Sequence, residues 1–564
     1  LLLVRSSQPE NRCGRFLAEI LISEGLTGFE IVDLDSAGIP ELGSSDLVIL
    51  TRCFLRDAEI AALKAAVNAG IRLVCIQPSP RLAASFGWAT AKRVVHPGWI
   101  NVRTCYPGNG LPVPTHVPIA AYKTEGDAGW TTVADAVHAD WSEAGLPAVV
   151  ARRHGDGRVV LFFYDLSEAV ARIRFGNQDL ASFQTTGVWG WSHAGDLFIG
   201  QVDERVKHLP VADLHGQFLA KILTDIAPYP LPRVWYYPEG SHRSAAIFQS
   251  DDDSSTQAQF RELSDCLAAH GANGTFYLMH DTKLTEAIVS DMRANGHTFA
   301  PHVNPGRCTD EWYFDFPRQL HDETVDFKRR FGKCSLSIQC HCAPWQGYQQ
   351  WVPEFIKNGY RLLFAYLSLP LSNWQNYMCG SGRAMRFPDA SGVQHNCWQQ
   401  PVSIYDDTTL IPLIKEHHAE LMGGFEKFLD DAVSRTHTAI GMLSHPVSFA
   451  TYSRPFMEPC FDRYVRAGMP IFNGDQWCEF LDRRSAVRIR SETQHAGAHH
   501  FSVENLRGRM TLMVPVRQKS ASGGSARLDG KPLDGAVHRR LEQDYLFLSV
   551  DGDGKTRRLE VEGV

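Results

Sequence analysis

The run Asp251-Asp252-Asp253 follows the apolar stretch Ser244-Ala245-Ala246-Ile247-Phe248 and precedes Ser254-Ser255. Three adjacent carboxylates at the mouth of a strand repel one another unless a cation, a proton or a catalytic task relieves them. Further along, His302, His341 and His445 each stand beside a strand-like or Pro-containing segment. Carboxylates and imidazoles in this order suit a metal-dependent hydrolase, with one carboxylate on the ion and another free to move a proton. In SLSIQCHC the strand alternation puts Leu336, Ile338, Cys340 and Cys342 on one face and Gln339 and His341 on the other, which lets His341 enter the same cluster.

The elements that must position these groups can be read from periodicity. From Ser241 to about Arg484, the strand candidates SAAIFQS, GTFYLM, HTFAPHV, SLSIQCHC, RLLFAYL, AIGMLSH and PIFNG alternate with helical stretches such as Gln257 to His270 and Glu311 to Phe331. Seven βα units predict a β/α barrel, closed or incomplete, whose chemistry gathers at the strand C-terminal ends. Before it, LLLV, FEIVDL, DLVIL and IRLVCI, with a helix from Asp57 to Ala69, predict a doubly wound parallel sheet, and His154-Gly155-Asp156-Gly157 predicts a hairpin. The Pro- and aromatic-rich passage from Pro228 to Gly240 reads as a linker, and the short alternating strands after residue 485 as a small antiparallel β-sandwich. The fold class is therefore α/β, with domains over 1–227, 241–485 and 486–564.

With 564 residues, 44% hydrophobic and 21% charged, the chain has the composition of a globular protein and no apolar run of about 18 residues that would span a bilayer. The formal charge of -7, with no basic block, leaves no electrostatic footprint for nucleic acid. A small or neutral polymeric substrate fits better. The odd count of 13 cysteines, several in apolar runs, points to a reducing compartment, while the opening at Leu1 without Met leaves room for a removed leader, so localisation and oligomeric state stay open.

On several ordered pieces the middle segment resembles the NodB-like polysaccharide deacetylases of carbohydrate esterase family 4. IFQSDDDSS looks like the family's Asp-Asp strand end, GANGTFYLM like its second strand and MRANGHTFAPH like its Gly-His strand. HCAPWQGY falls where the family has Arg-Pro-Pro-Tyr-Gly, Asn358-Gly359-Tyr360 follows, and GMLSHP matches its late Leu-x-His. The resemblance implies Asp251 as general base, Asp252 and His302 as metal ligands, and His445 as the acid that protonates the leaving group. It also implies a divalent metal, zinc by ligand type. The family's second metal histidine corresponds to Gly306 here, and His341 is the available replacement. Asp253 stands where the family has Gly and reads as a turn residue or N-cap. His297 reads as packing and the pair His417-His418 as solvated.

Flat aromatic faces stack on sugars. Trp345, directly after Pro344, together with His395 and Trp398, is the expected substrate contact, a backbone N–H near Pro344 or Trp345 the expected aid to the oxyanion, and Asp389 a candidate to orient a histidine. Trp312, Trp351 and Trp374 complete the aromatic set. The order of the N-terminal elements resembles glutamine-amidotransferase-like domains. Cys75, in Val74-Cys75-Ile76-Gln77, lacks the Gly-flanked elbow of a nucleophile, so no glutaminase activity is expected. The sequence thus predicts a metal-dependent deacetylase of an N-acetylated amino sugar or polysaccharide. Two alternatives stand beside it: a glycoside hydrolase pairing Asp251 or Asp253 with Asp389, Asp406 or Asp407, and an inactive carbohydrate-binding protein.

Overall fold

Buried aliphatic runs form the centre of the first sheet in the computed structural model, which describes the chain apart from residues 104–109, 125–128, 183–191, 305–311, 368–370, 372–380, 407–409, 496–497 and 518–523. Leu2–Val4, Leu47–Leu50 and Arg72–Ile76 lie side by side, flanked by Ile31–Asp33 and Gly157–Phe162, and all five run parallel. The remaining four strands of this nine-stranded sheet, Glu143–His154, Thr131–Val137, Trp99–Val102 and Val113–Pro114, are antiparallel. The expected wholly parallel sheet is therefore half of a mixed one. The expected hairpin at His154↔Gly157 is the reason, because it turns the chain back on itself beside the last parallel strand. Cys75 is fully buried within Arg72–Ile76.

The second large sheet is parallel throughout, in the order Thr298–Pro301, Thr275–Leu278, Ala246–Asp251, Ile440–Ser444, Val402–Tyr405, with Ile471–Phe472 also paired to Ala246–Asp251. Ser337–Ile338, Leu362–Leu363 and Gln394–Gln399 run parallel in a further sheet that Met385–Pro388 closes antiparallel. Backbone hydrogen bonds link the two. Ser335 N donates to Phe299 O at 2.6 Å, His341 N to Val303 O at 2.9 Å and Val402 N to Tyr366 O at 3.1 Å. The helix Gln257–Ala269, which follows the Asp run, starts at a capping box in which Thr256 and Gln259 each accept the other's backbone N–H.

Two antiparallel sheets make up the C-terminal part. Arg507–Pro515, Gln543–Asp553 and Gly535–Arg540 form one, and Arg488–His495, Ala498–Glu504, Arg557–Glu562, Ser525–Leu528 and Lys531–Leu533 the other. The presumed linker is not a free tether: Arg233–Val234 adds a strand to the first of these sheets, pairing with Met513 and Leu512, and Trp235, Tyr236 and Tyr237 are buried. Pro and aromatic residues exclude a helix there but still suit a buried edge strand. Glu24 anchors the passage. Its carboxylate accepts from Arg233 Nη2 at 2.6 Å and from the Tyr236 hydroxyl at 2.7 Å, and also contacts the Arg383 guanidinium, all buried. Arg484 donates to the carbonyls of Ile22, Ser23, Val234 and Trp235. The ten described cysteines are free thiols, and among the described residues no helix is long and apolar enough to cross a membrane.

Candidate metal and catalytic site

Ala246–Asp251 carries its last side chain to the C-terminal edge of the parallel sheet, where Asp251 is 4% exposed. Its Oδ2 lies 3.6 Å from His302 Nε2, and its Oδ1 has no hydrogen-bond partner. Burial pushes the Asp251 carboxyl up to about 6 against the pull of His302 and His445. A buried carboxyl that titrates near neutrality suits a group that exchanges a proton with substrate or water.

Past the strand the chain turns through two left-handed residues, Asp253 (φ 43°) and Ser254 (φ 64°), a conformation Asp tolerates better than most residues. The turn brings Asp253 back over the site. Its Oδ1 lies 3.4 Å from His302 Nε2 and 3.8 Å from His341 Nε2, and its Oδ2 lies 3.6 Å from His445 Nε2. Burial opposes its ionisation, but the three histidines hold its carboxyl well below the usual range. Asp252, expected as the metal ligand, is not among the three residues whose ligand atoms converge. Its Oδ1 accepts from Ser255 N at 3.1 Å and its Oδ2 from Met279 N at 3.2 Å, so it ties the strand end to the neighbouring strand. Each of its oxygens is thus engaged by a backbone N–H, while the left-handed turn that follows returns Asp253 to the site.

His302 follows Thr298–Pro301 and is 1% exposed. Its Nδ1 is 2.9 Å from the Gln339 carbonyl, an acceptor only, so Nδ1 carries the hydrogen and Nε2 is turned toward the carboxylates. Burial disfavours its charge, yet Asp251 and Asp253 raise its pKa to about 9. His341 reaches the same point from the other sheet, its backbone N donating to Val303 O. Burial, together with the charge of His302, lowers its pKa to about 4.

Asp253, His302 and His341 each offer one ligand atom, and these atoms lie within 4.8 Å of one another. Ligands about 2.1 Å from a tetrahedral cation stand about 3.4 Å apart, which the 3.4 and 3.8 Å separations approach and which is longer than a hydrogen bond. Asp253 Oδ1 and His302 Nε2 are both buried, with no hydrogen-bond partner nearer than the 3.4 Å that separates them. Carboxylate oxygen with two imidazoles is a donor set that fits zinc.

His445, at the end of Ile440–Ser444, faces this group with Nε2 and places Nδ1 2.8 Å from Asp406 Oδ1. Asp406 is fully buried and also accepts from Ser444 Oγ (2.7 Å), Ser453 Oγ (2.6 Å) and His445 N (3.1 Å). Burial works against charge on His445, but Asp406 and Asp253 raise its pKa to about 10. Sequence reasoning missed Asp406 as the partner of His445. The available signal was its position one residue past Val402–Tyr405, at the same edge as the other site residues.

The expected substrate contacts are not brought to the site. Trp345 is 1% exposed, packed between Tyr366, Phe387 and Phe355, and its Nε1 donates to Tyr348 O. Its backbone N donates to Ser192 O, and Pro344, which has no N–H, is bridged to His193, so neither supplies an oxyanion donor. Trp398 is 3% exposed, beneath the Arg386 guanidinium and donating to Asp482. His395 lies at the start of Gln394–Gln399, the opposite end from the donors, and Asp389 caps its own turn by accepting from Ser391 and Val393. Tryptophan faces buried by neighbouring aromatics cannot meet a sugar. Trp351 is buried against Phe316. Gly306, Trp374 and Asp407 and the side chain of Trp312 lie outside the described residues. Of the acids considered as a glycosidase partner, Asp406 is engaged by four donors and Asp389 is engaged by its own turn. His297 is interior as expected, its ring accepting from Gly274 N and bonded to Ser264 Oγ.

No family model and no curated protein matches the chain. Among solved structures it is similar to Agd3, described as a novel carbohydrate deacetylase, at 12% identity and TM-score 0.43, covering 99% of this chain and 98% of that one. It is similar to a polysaccharide deacetylase from Mycobacterium smegmatis, so described without an established activity, at 12% identity and TM-score 0.30, over 46% of this chain and 97% of that one. A similarly described protein involved in O-antigen biosynthesis from Bordetella bronchiseptica matches at 15% identity and TM-score 0.26, over 40% and 81%. Similarity at TM-scores below 0.5 assigns no chemistry, which has to come from the side chains of this chain.

Proposed function

We propose that the chain is a metal-dependent hydrolase that removes acetyl groups from an N-acetylated amino sugar or polysaccharide. In this reading residues 241–485 form an incomplete NodB-like barrel, with an amidotransferase-like region over 1–227 and a β-sandwich over 486–564. The observation that carries it is the convergence of Asp253 Oδ1, His302 Nε2 and His341 Nε2 at ligand-like separations, two of the three atoms buried with no nearer hydrogen-bond partner. The choice of acyl group draws on the motif order shared with NodB-like deacetylases.

Asp253, His302 and His341 would hold a divalent cation, which when bound would supply Lewis acidity toward the acyl oxygen and make a nearby water more acidic. Asp251, with a free Oδ1 and a pKa near 6, takes the proton of the attacking water. His445, protonated and held by Asp406, gives a proton to the departing amine through Nε2. Gln339 fixes the tautomer of His302.

The test is acetate release from a panel of N-acetylated glycans, before and after chelation and after zinc is returned. Release that is lost with the metal and restored with zinc supports the reading. Glycan cleavage indifferent to chelation rejects it.

A further inference from the structure

His341 is the less anchored of the two imidazole donors, 26% exposed at its side chain against 1% for His302. Its Nδ1 faces the Cys342 sulfur at 3.7 Å, a weak contact beside the carbonyl that fixes His302. What aims the His341 ring is therefore the backbone around it. Immediately after it, Cys342 (φ 60°) and Ala343 (φ 45°) both adopt the left-handed conformation without being glycine. Such a conformation is unfavourable for residues other than glycine and persists only where the surroundings over-determine it.

The surroundings come from the N-terminal region, about 150 residues earlier in the chain. Pro344 forms an antiparallel bridge with His193, and Trp345 N donates to Ser192 O at 2.9 Å. The buried His193 imidazole lies within polar reach of the backbone of Ala343 and of Cys342, the two left-handed residues themselves. His193 in turn begins the short helix Ala194–Phe198, whose Asp196 accepts from His193 N at 3.4 Å.

We infer that Ser192 and His193 hold the turn Cys342–Pro344 in the backbone path that delivers His341 to Asp253 and His302, so that the N-terminal region completes the metal site and His193 is a positioning residue for it. The inference rests on the metal-site reading above. It gives the N-terminal region, whose own Cys75 is fully buried, a task in the reaction. A group that orients a ligand in this way is worth about 10- to 100-fold in metal affinity.

The experiment measures zinc affinity of the full-length, metal-stripped protein by competition with a chromophoric chelator, for wild type, His193→Ala, His193→Asn and His193→Gln. Circular dichroism of each metal-free protein is the control for folding. Wild type should bind one zinc. His193→Ala should keep the native spectrum and bind about 10- to 100-fold more weakly, and at least one amide variant, which restores an N–H donor, should recover most of that loss. Wild-type affinity in a folded His193→Ala overturns the inference. If His193→Ala does not fold, the amide variants decide: near-wild-type affinity in either supports the inference, and weak binding in both overturns it. A wild type that takes up no zinc overturns the metal site itself, a result distinct from any difference among variants.

Discussion

His445 and Asp406 meet at 2.8 Å, Nδ1 to Oδ1, and the same carboxylate also accepts the His445 backbone N–H. This double grip fixes both ring and main chain and leaves Nε2 facing Asp253. Asp406→Asn keeps the volume but offers an N–H where the ring needs an acceptor, which turns the tautomer the wrong way. Steady-state kinetics should show kcat lowered about 100-fold or more, with zinc content unchanged by metal analysis. Near-wild-type turnover would remove His445 from the proton path.

Neighbouring carboxylates separate ligand from scaffold. Asp253→Ala should abolish zinc retention and acetate release while the protein stays folded. Asp252→Asn should keep its zinc and instead lose about 1–3 kcal/mol of stability in urea, because one acceptor for Ser255 N and Met279 N is replaced by a donor. The opposite pattern would return the ligand role to Asp252.

Asp251→Asn removes the proposed base without touching a ligand atom. Turnover should fall to background while bound zinc, measured on the same sample, stays at the wild-type level. Retained turnover would reject the base assignment.

Acid stability follows from histidines buried away from the site. Burial lowers His215 and His297 to about 4 and His437 to about 3. The unfolded chain takes up a proton at these rings near pH 6.5 while the folded protein does not until about pH 4, so the unfolded state binds more protons in that window and stability falls as pH drops through it. Each ring contributes a slope of up to about 1.4 kcal/mol per pH unit. Urea unfolding of His297→Gln between pH 6.5 and 4.5 should show a shallower loss than wild type. Equal slopes would refute the neutral assignment of His297.

Much of the scaffold was legible because apolar runs bounded by turn residues become strands here: Ala246–Asp251, Thr275–Leu278, Thr298–Pro301 and Ile440–Ser444 lie where the sequence put them. His302, His341 and His445 gather because all three follow the C-terminal ends of such runs. The choice between Asp252 and Asp253 was out of reach of the alternation rule, because the strand ends at Asp251 and the left-handed turn at Asp253 and Ser254 has no glycine to announce it. Asp406 escaped notice as the partner of His445 because Val402–Tyr405, the strand it follows, was not among the strand candidates. The tryptophans misled for a different reason: Trp345 and Trp398 follow site strands in sequence, yet their size is used to fill the interior. The passage from Pro228 to Gly240 has the composition of a connector, and nothing in it signals the distant partner strand that buries it.

Glu24, Arg233 and Arg383 draw on the first region, the connecting passage and the central region and share one buried ionic knot, which Arg484 braces by donating to the carbonyls of Ile22, Ser23, Val234 and Trp235. Removing one member of such a knot strands the others' charge at a cost of about 3–5 kcal/mol. Exchanging the amino-terminal third of this protein for that of a distant relative would therefore cut through the knot rather than along a seam. Viable chimeras will be those in which these four positions travel together.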